Sequence, residues 1–169
     1  MKADLFWVPG PWRGRFAIAA RPRGGDWLSD EAHAWREAGI DILISLLEND
    51  EAAQLYLGGE RQAAEAQAIA FISFPIPDRG IPPSTDETIS LISRITAQLE
   101  MGKNVAVHCR QGIGRSGLFA IGTLTNSGIE ANEAIRIVSS ARGISVPETA
   151  EQSRWVHQFA TRTPVAREV

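Results

Sequence analysis

Two apolar runs place the strongest constraint on how this chain of 169 residues can fold. Residues 40–47 are almost continuously apolar, and residues 104–108 form a shorter run of the same kind. A run bounded by turn-forming residues is typical of a strand that is buried on both faces of a sheet. Segments with helical periodicity separate the strands, and this alternation predicts an α/β domain with a central, mostly parallel twisted sheet flanked by helices.

Turn and cap residues set the expected boundaries of the other elements. Asp26 or Ser29 is the candidate cap of the first helix, and the stretch from Ser84 to Glu87 fits a capping box. The chain ends, near residues 1–3 and after Thr163, are expected to be loose. The predicted strands are 5–8, 15–19 and 71–76, and the predicted helices are 28–38, 52–70 with a break at 58–59, 84–102, 116–126, 132–142 and 149–162.

Composition excludes several classes of protein and indicates one domain over residues 1–169, with its core at about 5–162. The chain is 44% hydrophobic and 22% charged, which excludes a disordered chain, a collagen-like repeat and a small disulfide scaffold. A net charge of −3 argues against nucleic-acid or anionic-membrane partners, and no export or spanning segment is predicted. One cysteine excludes an intramolecular disulfide and favours a reducing compartment, so a cytoplasmic protein is expected. A monomer is expected for a small chain with an acidic surface and no charge pattern.

The segment NVAVHCRQGIGRSG, residues 104–117, carries the chemistry. A strand is followed by Cys109, a loop with two glycines, and a helix that opens with Arg115. Small residues let successive backbone N–H groups form an anion-binding nest, and a helix N-terminus adds its own free N–H groups. Arg115 supplies a planar fork for two phosphate oxygens, and the same positive field favours a thiolate at the cysteine. The loop therefore predicts a phosphate site with its own nucleophile, without a metal or another cofactor.

This string resembles a known signature. His108-Cys109, five further residues and then Arg115-Ser116, with Gly112 between them, resemble the HCxxGxxRS motif of the cysteine-dependent protein tyrosine phosphatases. Residues 74–78 resemble the general-acid loop of that family, while residues 7–10 and 142–152 are similar to segments of the small, atypical dual-specificity phosphatases. The resemblance implies a phosphatase fold of the dual-specificity subtype and hydrolysis through a phosphocysteine intermediate.

The resemblance also implies roles for individual residues. Cys109 is the expected nucleophile, and Arg115 is expected to bind phosphate and stabilise the transition state. Asp78 is the expected general acid and base, and Asp86 is the weaker candidate because the first turn of a helix explains it. Ser116 is expected to stabilise the departing thiolate, or to cap the helix that it opens.

Other residues have supporting or open roles. His108 is expected to shape the loop from the end of its strand. Either Glu148 or Gln152 could orient the hydrolytic water, although a capping box at Thr149 explains Gln152 equally well. Glu48 could pair with Arg115, but a solvated turn is favoured, and Arg79 could touch substrate or stay in solvent. The loop residues expected to bind the substrate are Arg110, Gln111, Gly112, Ile113 and Gly114.

The expected substrate, and the one expected partner, is a phosphoprotein carrying phosphotyrosine, with phosphoserine and phosphothreonine as further possibilities. One alternative keeps the mechanism but changes the substrate to a phosphoinositide, an inositol phosphate or an RNA 5′-phosphate. Arg110 is the one added charge inside the loop, which disfavours such highly anionic substrates. A second alternative is an inactive phosphatase that captures phosphopeptides, and the presence of Cys109, Arg115 and Asp78 argues against it.

Overall fold

A five-stranded sheet forms the centre of the protein in the computed structural model, which describes residues 1–162. The prediction of a loose end after Thr163 lies outside these residues. The strand order is β1-β2-β5-β3-β4, in which β1 runs antiparallel to β2 and the other neighbours are parallel. The predicted mostly parallel α/β sheet is therefore confirmed. The strands are β1 Leu5–Val8, β2 Phe16–Ala19, β3 Ile42–Ser45, β4 Ala70–Ser73 and β5 Val105–His108.

Seven α-helices surround the sheet within residues 1–162. They are α1 Leu28–Glu37, α2 Asn49–Gln54, α3 Glu60–Ala66, α4 Thr85–Glu100, α5 Gly114–Asn126, α6 Ala131–Arg142 and α7 Ala150–Arg162. Helix α5 is central, since it contacts α4, α6 and α7 as well as β2 and β5. Its sequence is apolar nearly all round, as a helix buried on every side requires. None of the helices in this part of the chain is long and apolar enough to cross a membrane.

The central strand β5 shows why its sequence is apolar without alternation. Val105 and Val107 face the main core cluster, to which α5 contributes Leu118 and Phe119. Ala106 points to the opposite face and belongs to a second cluster around Trp35 of α1. Because both faces of the sheet are covered, successive side chains are all buried.

Element boundaries differ from the predictions most clearly after β3. The helix predicted over 52–70, with its break at 58–59, is two short helices, of which α2 begins three residues earlier, at Asn49, and α3 ends at Ala66. The strand predicted over 71–76 is β4, which begins at Ala70 and ends at Ser73. Neither Asp26 nor Ser29 caps α1, because a 3₁₀ turn leads directly into it and no side chain bonds at the cap. At α4 one half of the predicted capping box is found, since the Ser84 hydroxyl accepts a hydrogen bond from the Glu87 N–H at 3.2 Å.

The parallel strands bring the chemically interesting segments to one edge of the sheet. Ser45 at the end of β3 is in register with both Ser73 of β4 and His108 of β5. The chain therefore leaves all three strands at the same edge. The segments that follow the strands contain Glu51, Asp78 and Cys109 respectively, so residues far apart in sequence meet there.

Candidate active site

A small cleft of about 80 Å³ lies beyond this edge of the sheet. Four of the lining residues, Asp78, Cys109, Arg115 and Glu148, are ones to which the sequence analysis gave a role in catalysis or in orienting the hydrolytic water. Most of the others belong to the loop after Cys109. Within residues 1–162, its lining residues are polar, charged or small. They are Asp78, Arg79, Cys109, Arg110, Gln111, Gly114, Arg115 and Glu148.

Cys109 is the first residue after β5 and is 2% exposed. The loop that follows it reaches the N-terminus of α5 within four residues, so the cysteine lies beside the free N–H groups of a 13-residue helix. The loop needs glycine at Gly112, where φ is +68° and a Cβ atom would come within 3.3 Å of the Ala19 carbonyl oxygen. Gly112 and Ile113 shape the loop without lining the cleft, whereas Arg110, Gln111 and Gly114 line it.

Arg115 is the most constrained side chain of the site. Its guanidinium is buried and donates to both carboxylate oxygens of Glu51, at 2.6 and 2.9 Å. It also donates to the Ile76 carbonyl at 3.0 Å and to Asp78 Oδ1 at 3.1 Å. Burial by itself would lower the pKa of Arg115, but the Glu51 hydrogen bond and the negative charges of Cys109 and Asp78 raise it. The guanidinium is therefore charged and fixed in orientation.

Glu51 is a site residue that the sequence analysis missed. Its carboxylate is buried in the first turn of α2, and its Oε1 accepts from the Glu48 N–H at 3.1 Å. Burial alone would raise the pKa of Glu51, but the Arg115 hydrogen bond lowers it, assisted by the Glu48 N–H and by Arg110. Arg115 therefore pairs with Glu51 and not with Glu48. The spacing of Glu48 and Glu51 fits a capping box, which explains Glu51 locally and gives no sign of its pairing with Arg115.

Asp78 lies at the mouth of the cleft with its side chain more than half exposed. Its loop is anchored on both sides of the carboxylate. On one side the Ile76 carbonyl accepts from Arg115, and on the other the Gly80 carbonyl accepts from the Gln152 side-chain amide at 3.0 Å. These anchors hold the candidate general acid at the cleft that Cys109 also lines.

Gln152 itself is fully buried and does not line the cleft. Its amide nitrogen donates to Gly80, and its amide oxygen accepts from the Glu148 N–H at 3.1 Å. Both ends of its amide are bound to backbone groups, and the role of Gln152 in orienting the hydrolytic water stays a prediction. The alternative cap is present, since Thr149 Oγ1 accepts from the Gln152 N–H at 3.1 Å. Glu148 does line the cleft, and its carboxylate pairs with Arg79 at 3.4 Å.

Two predicted residues lie behind the cleft. His108 is fully buried, stacks on Trp35 with ring centroids 6.5 Å apart, and is hydrogen-bonded through Nε2 to the buried carboxylate of Glu60. Ser116 is also fully buried, and its hydroxyl has no hydrogen-bond partner within residues 1–162. A buried hydroxyl without a partner is unusual, and it leaves Ser116 free to bond to a group that changes during a reaction.

The fold is that of known phosphatases. Kinase-associated phosphatase, with its catalytic-site cysteine replaced by serine, aligns over 100% of this chain and 99% of its own at a TM-score of 0.85 and 17% identity. The phosphatase Tk-PTP in its active form aligns over 94% of this chain and 97% of its own, with a TM-score of 0.76 and 26% identity. These matches and the cleft define the class, which is the tyrosine and dual-specificity phosphatase superfamily.

Sequence comparison gives the family more narrowly. The chain belongs to the family described as the DSP-PTPase phosphatases of polymorphic toxin systems, whose profile matches residues 17–128. Protein 197R of Invertebrate iridescent virus 6, which carries a tyrosine phosphatase name, is 24% identical over 161 residues. That alignment covers 92% of this chain, and the chain spans 56% of the length of the viral protein.

Proposed function

We propose that the protein hydrolyses phosphate monoesters on phosphoproteins through a phosphocysteine intermediate. The observation that carries the proposal is the meeting of Cys109, Arg115 and Asp78 at one cleft, with Arg115 held by Glu51. A thiol nucleophile, a fixed cation and an acid beside the N-terminus of a helix are what phosphoryl transfer to sulfur requires. The two most similar folds described above carry phosphatase names, which supports the same chemistry.

The first step forms a bond between the Cys109 sulfur and the phosphorus, and it breaks the bond from phosphorus to the ester oxygen. Asp78 donates its proton to that oxygen, so the substrate leaves as an alcohol or phenol. Arg115 and the loop amides stabilise the charge on the three equatorial oxygens.

In the second step, Asp78 takes a proton from water while the water oxygen attacks phosphorus. The phosphorus–sulfur bond breaks, and Cys109 returns to the thiolate. The Ser116 hydroxyl, which has no other partner, is proposed to donate a hydrogen bond to the returning sulfur.

A protein substrate fits the cleft better than a polyanionic one. In the part of the chain that the structure describes, no aromatic side chain lines the cleft, so the walls do not enclose a phenyl ring. Two carboxylates at the mouth, Asp78 and Glu148, offset the charges of Arg79 and Arg110, so the mouth offers no net positive charge to a second phosphate group on the same substrate. We therefore propose phosphotyrosine and phosphothreonine peptides as substrates, with inositol phosphates and RNA 5′-phosphates disfavoured.

The test compares kcat/KM on a phosphotyrosine peptide, a matched phosphothreonine peptide and a soluble phosphoinositide. We expect values for the two peptides within tenfold of each other and a lower value for the phosphoinositide. Cys109→Ser should abolish turnover, and acid-quenched enzyme should show a phosphate adduct on Cys109 by mass spectrometry. Preference for the phosphoinositide would overturn the protein substrate and leave the cysteine mechanism intact. Binding of the phosphopeptides without any turnover would instead support a phosphopeptide-binding module.

A further inference from the structure

The carbonyl oxygens of the loop are held from outside the cleft. Arg142, the last residue of α6, donates from Nε to the Gly112 carbonyl at 2.7 Å and from Nη2 to the Gln111 carbonyl at 3.3 Å. Arg21 donates to the Arg110 carbonyl at 3.4 Å. Two arginines from distant parts of the chain thus bind three successive carbonyl groups of the loop.

The fourth carbonyl of the series faces the buried histidine. His108 Nδ1 lies 3.4 Å from the Cys109 carbonyl oxygen, and its other ring nitrogen is bound by Glu60. Arg21, Arg142 and His108 together are called the outer collar below. The outer collar contacts the carbonyl groups of every residue in the range 109–112.

These contacts also fix the direction of the N–H groups in the loop, because each peptide group is planar. In a trans peptide the C=O of one residue and the N–H of the next point in opposite directions. Carbonyls 109–112 turned toward the outer collar therefore turn N–H groups 110–113 away from it. The cleft is lined by Arg110, Gln111 and Gly114 on that other side. Such inward N–H groups form an anion-binding concavity.

We propose that Arg142 is the principal positioning residue of this phosphate cradle. It makes two of the four contacts, and its planar fork suits two adjacent carbonyl groups as a lysine ammonium does not. Its guanidinium is itself fixed, because it lies 4.1 Å above the Phe6 ring centroid of β1. Arg142 does not line the cleft, so it acts on the phosphate through Gln111 and Gly112. This inference rests on the proposed function, since it concerns the same phosphate site.

The experiment measures inorganic phosphate binding by calorimetry, which requires no turnover. Arg142→Met keeps an unbranched side chain and removes both hydrogen bonds to the loop. A hydrogen bond from a charged donor is worth about tenfold or more in an equilibrium constant, and part of this loss in the loop is passed on to the bound phosphate, so we expect phosphate to bind roughly 10–100-fold more weakly. Arg142→Lys should fall between this variant and the wild type. The matched control is Arg136→Met on the same helix, whose exposed side chain pairs with Glu133 and should leave affinity unchanged.

Kinetics and thermal unfolding separate positioning from general stability. Loss of the cradle should lower kcat as well as raise KM, because the amides contact the transition state more closely than the substrate. If Arg142→Met lowers the melting temperature but keeps phosphate affinity within twofold of wild type, the inference is wrong. If Arg142→Met does not fold, phosphate affinity is measured instead in Arg142→Lys and Phe6→Leu. Unchanged phosphate affinity in both of these variants would overturn the inference. Wild-type protein that binds phosphate in an Arg142-dependent way without hydrolysing any ester would refute only the proposed function.

Discussion

Replacement of Glu51 by Gln tests whether the carboxylate behind Arg115 fixes the phosphate-binding cation. The amide keeps one acceptor but turns an NH₂ group toward the guanidinium, so one of the two short hydrogen bonds is lost. Removing one partner of a buried ion pair costs about 3–5 kcal/mol, because the other charge stays buried. Arg115 keeps its bonds to Ile76 and Asp78, so the lower end of that range, about 3 kcal/mol, is expected.

Two assays measure this loss. For a domain of this size about 3 kcal/mol in the free energy of unfolding lowers the melting temperature by roughly 6–12 °C. A guanidinium that is no longer fixed should also lower kcat/KM about 100-fold, which corresponds to about 2.7 kcal/mol of transition-state stabilisation. Asp50→Asn is the matched control, since it removes one negative charge from the same first turn of α2 without touching Arg115. The reasoning is refuted if Glu51→Gln stays within threefold of the Asp50→Asn variant in kcat/KM.

The pH dependence of stability gives a second check on Glu51. Its pKa in the folded protein is below the ordinary value of 4.5, which unfolding restores. A carboxyl group with a lowered pKa stabilises the fold fully above its ordinary pKa and loses that contribution as pH falls through the folded value. The difference in melting temperature between wild type and Glu51→Gln should therefore be constant above about pH 5 and shrink on further acidification. A difference that grows in acid would contradict the assigned ion pair.

Three further variants address the acid loop and the cradle. Asp78→Asn should lower kcat about 10²–10⁴-fold for poor leaving groups and much less for a nitrophenyl ester, whereas the control Asp86→Asn should change neither. Gln152→Leu removes the hydrogen bond to the Gly80 carbonyl and should lower kcat less than Asp78→Asn does, again mainly for poor leaving groups. An equal loss of kcat for all esters would show that Gln152 does not position Asp78. Gly112→Ala must adopt a φ of +68° and contact the Ala19 carbonyl. The strain of about 1–3 kcal/mol should lower phosphate affinity roughly 5–150-fold, which calorimetry would measure.

The sequence predicts the sheet and the nucleophile loop because both depend on local patterns. The apolar runs at residues 40–47 and 104–108 show strands buried on two faces, and parallel strands place their carboxyl ends at one edge. The rule places the segment after β4 at the same edge as Cys109, and the resemblance to the phosphatase signature singled out Asp78 within it. The glycines and Arg115 follow from the needs of an anion site next to a helix N-terminus.

The supporting residues could not be predicted, because each has a sufficient local explanation. Glu51 and Glu60 lie in the first turns of α2 and α3, where the helix dipole favours negative charge. Arg142 lies in the last turn of α6, where the dipole favours positive charge. Their partners are 64, 48 and 30 residues away in sequence, respectively. Charged residues in polar helix turns usually face solvent, and only the folded chain shows that these carboxylates are buried.

The same buried carboxylates determine how the site attracts phosphate. Glu51 compensates the charge of Arg115, and Glu60 is hydrogen-bonded to His108 behind the cleft. At the mouth, Asp78 and Glu148 balance Arg79 and Arg110. The side chains therefore supply little net positive field at long range, in keeping with a chain of net charge −3. Attraction must come at short range from the loop amides, the helix N-terminus and the aligned Arg115, all of which act on a single phosphate group. Such an arrangement acts on one phosphate held in one orientation and adds little for further phosphates on the substrate, and this supports the proposed preference for a phosphoprotein over a polyphosphorylated inositol.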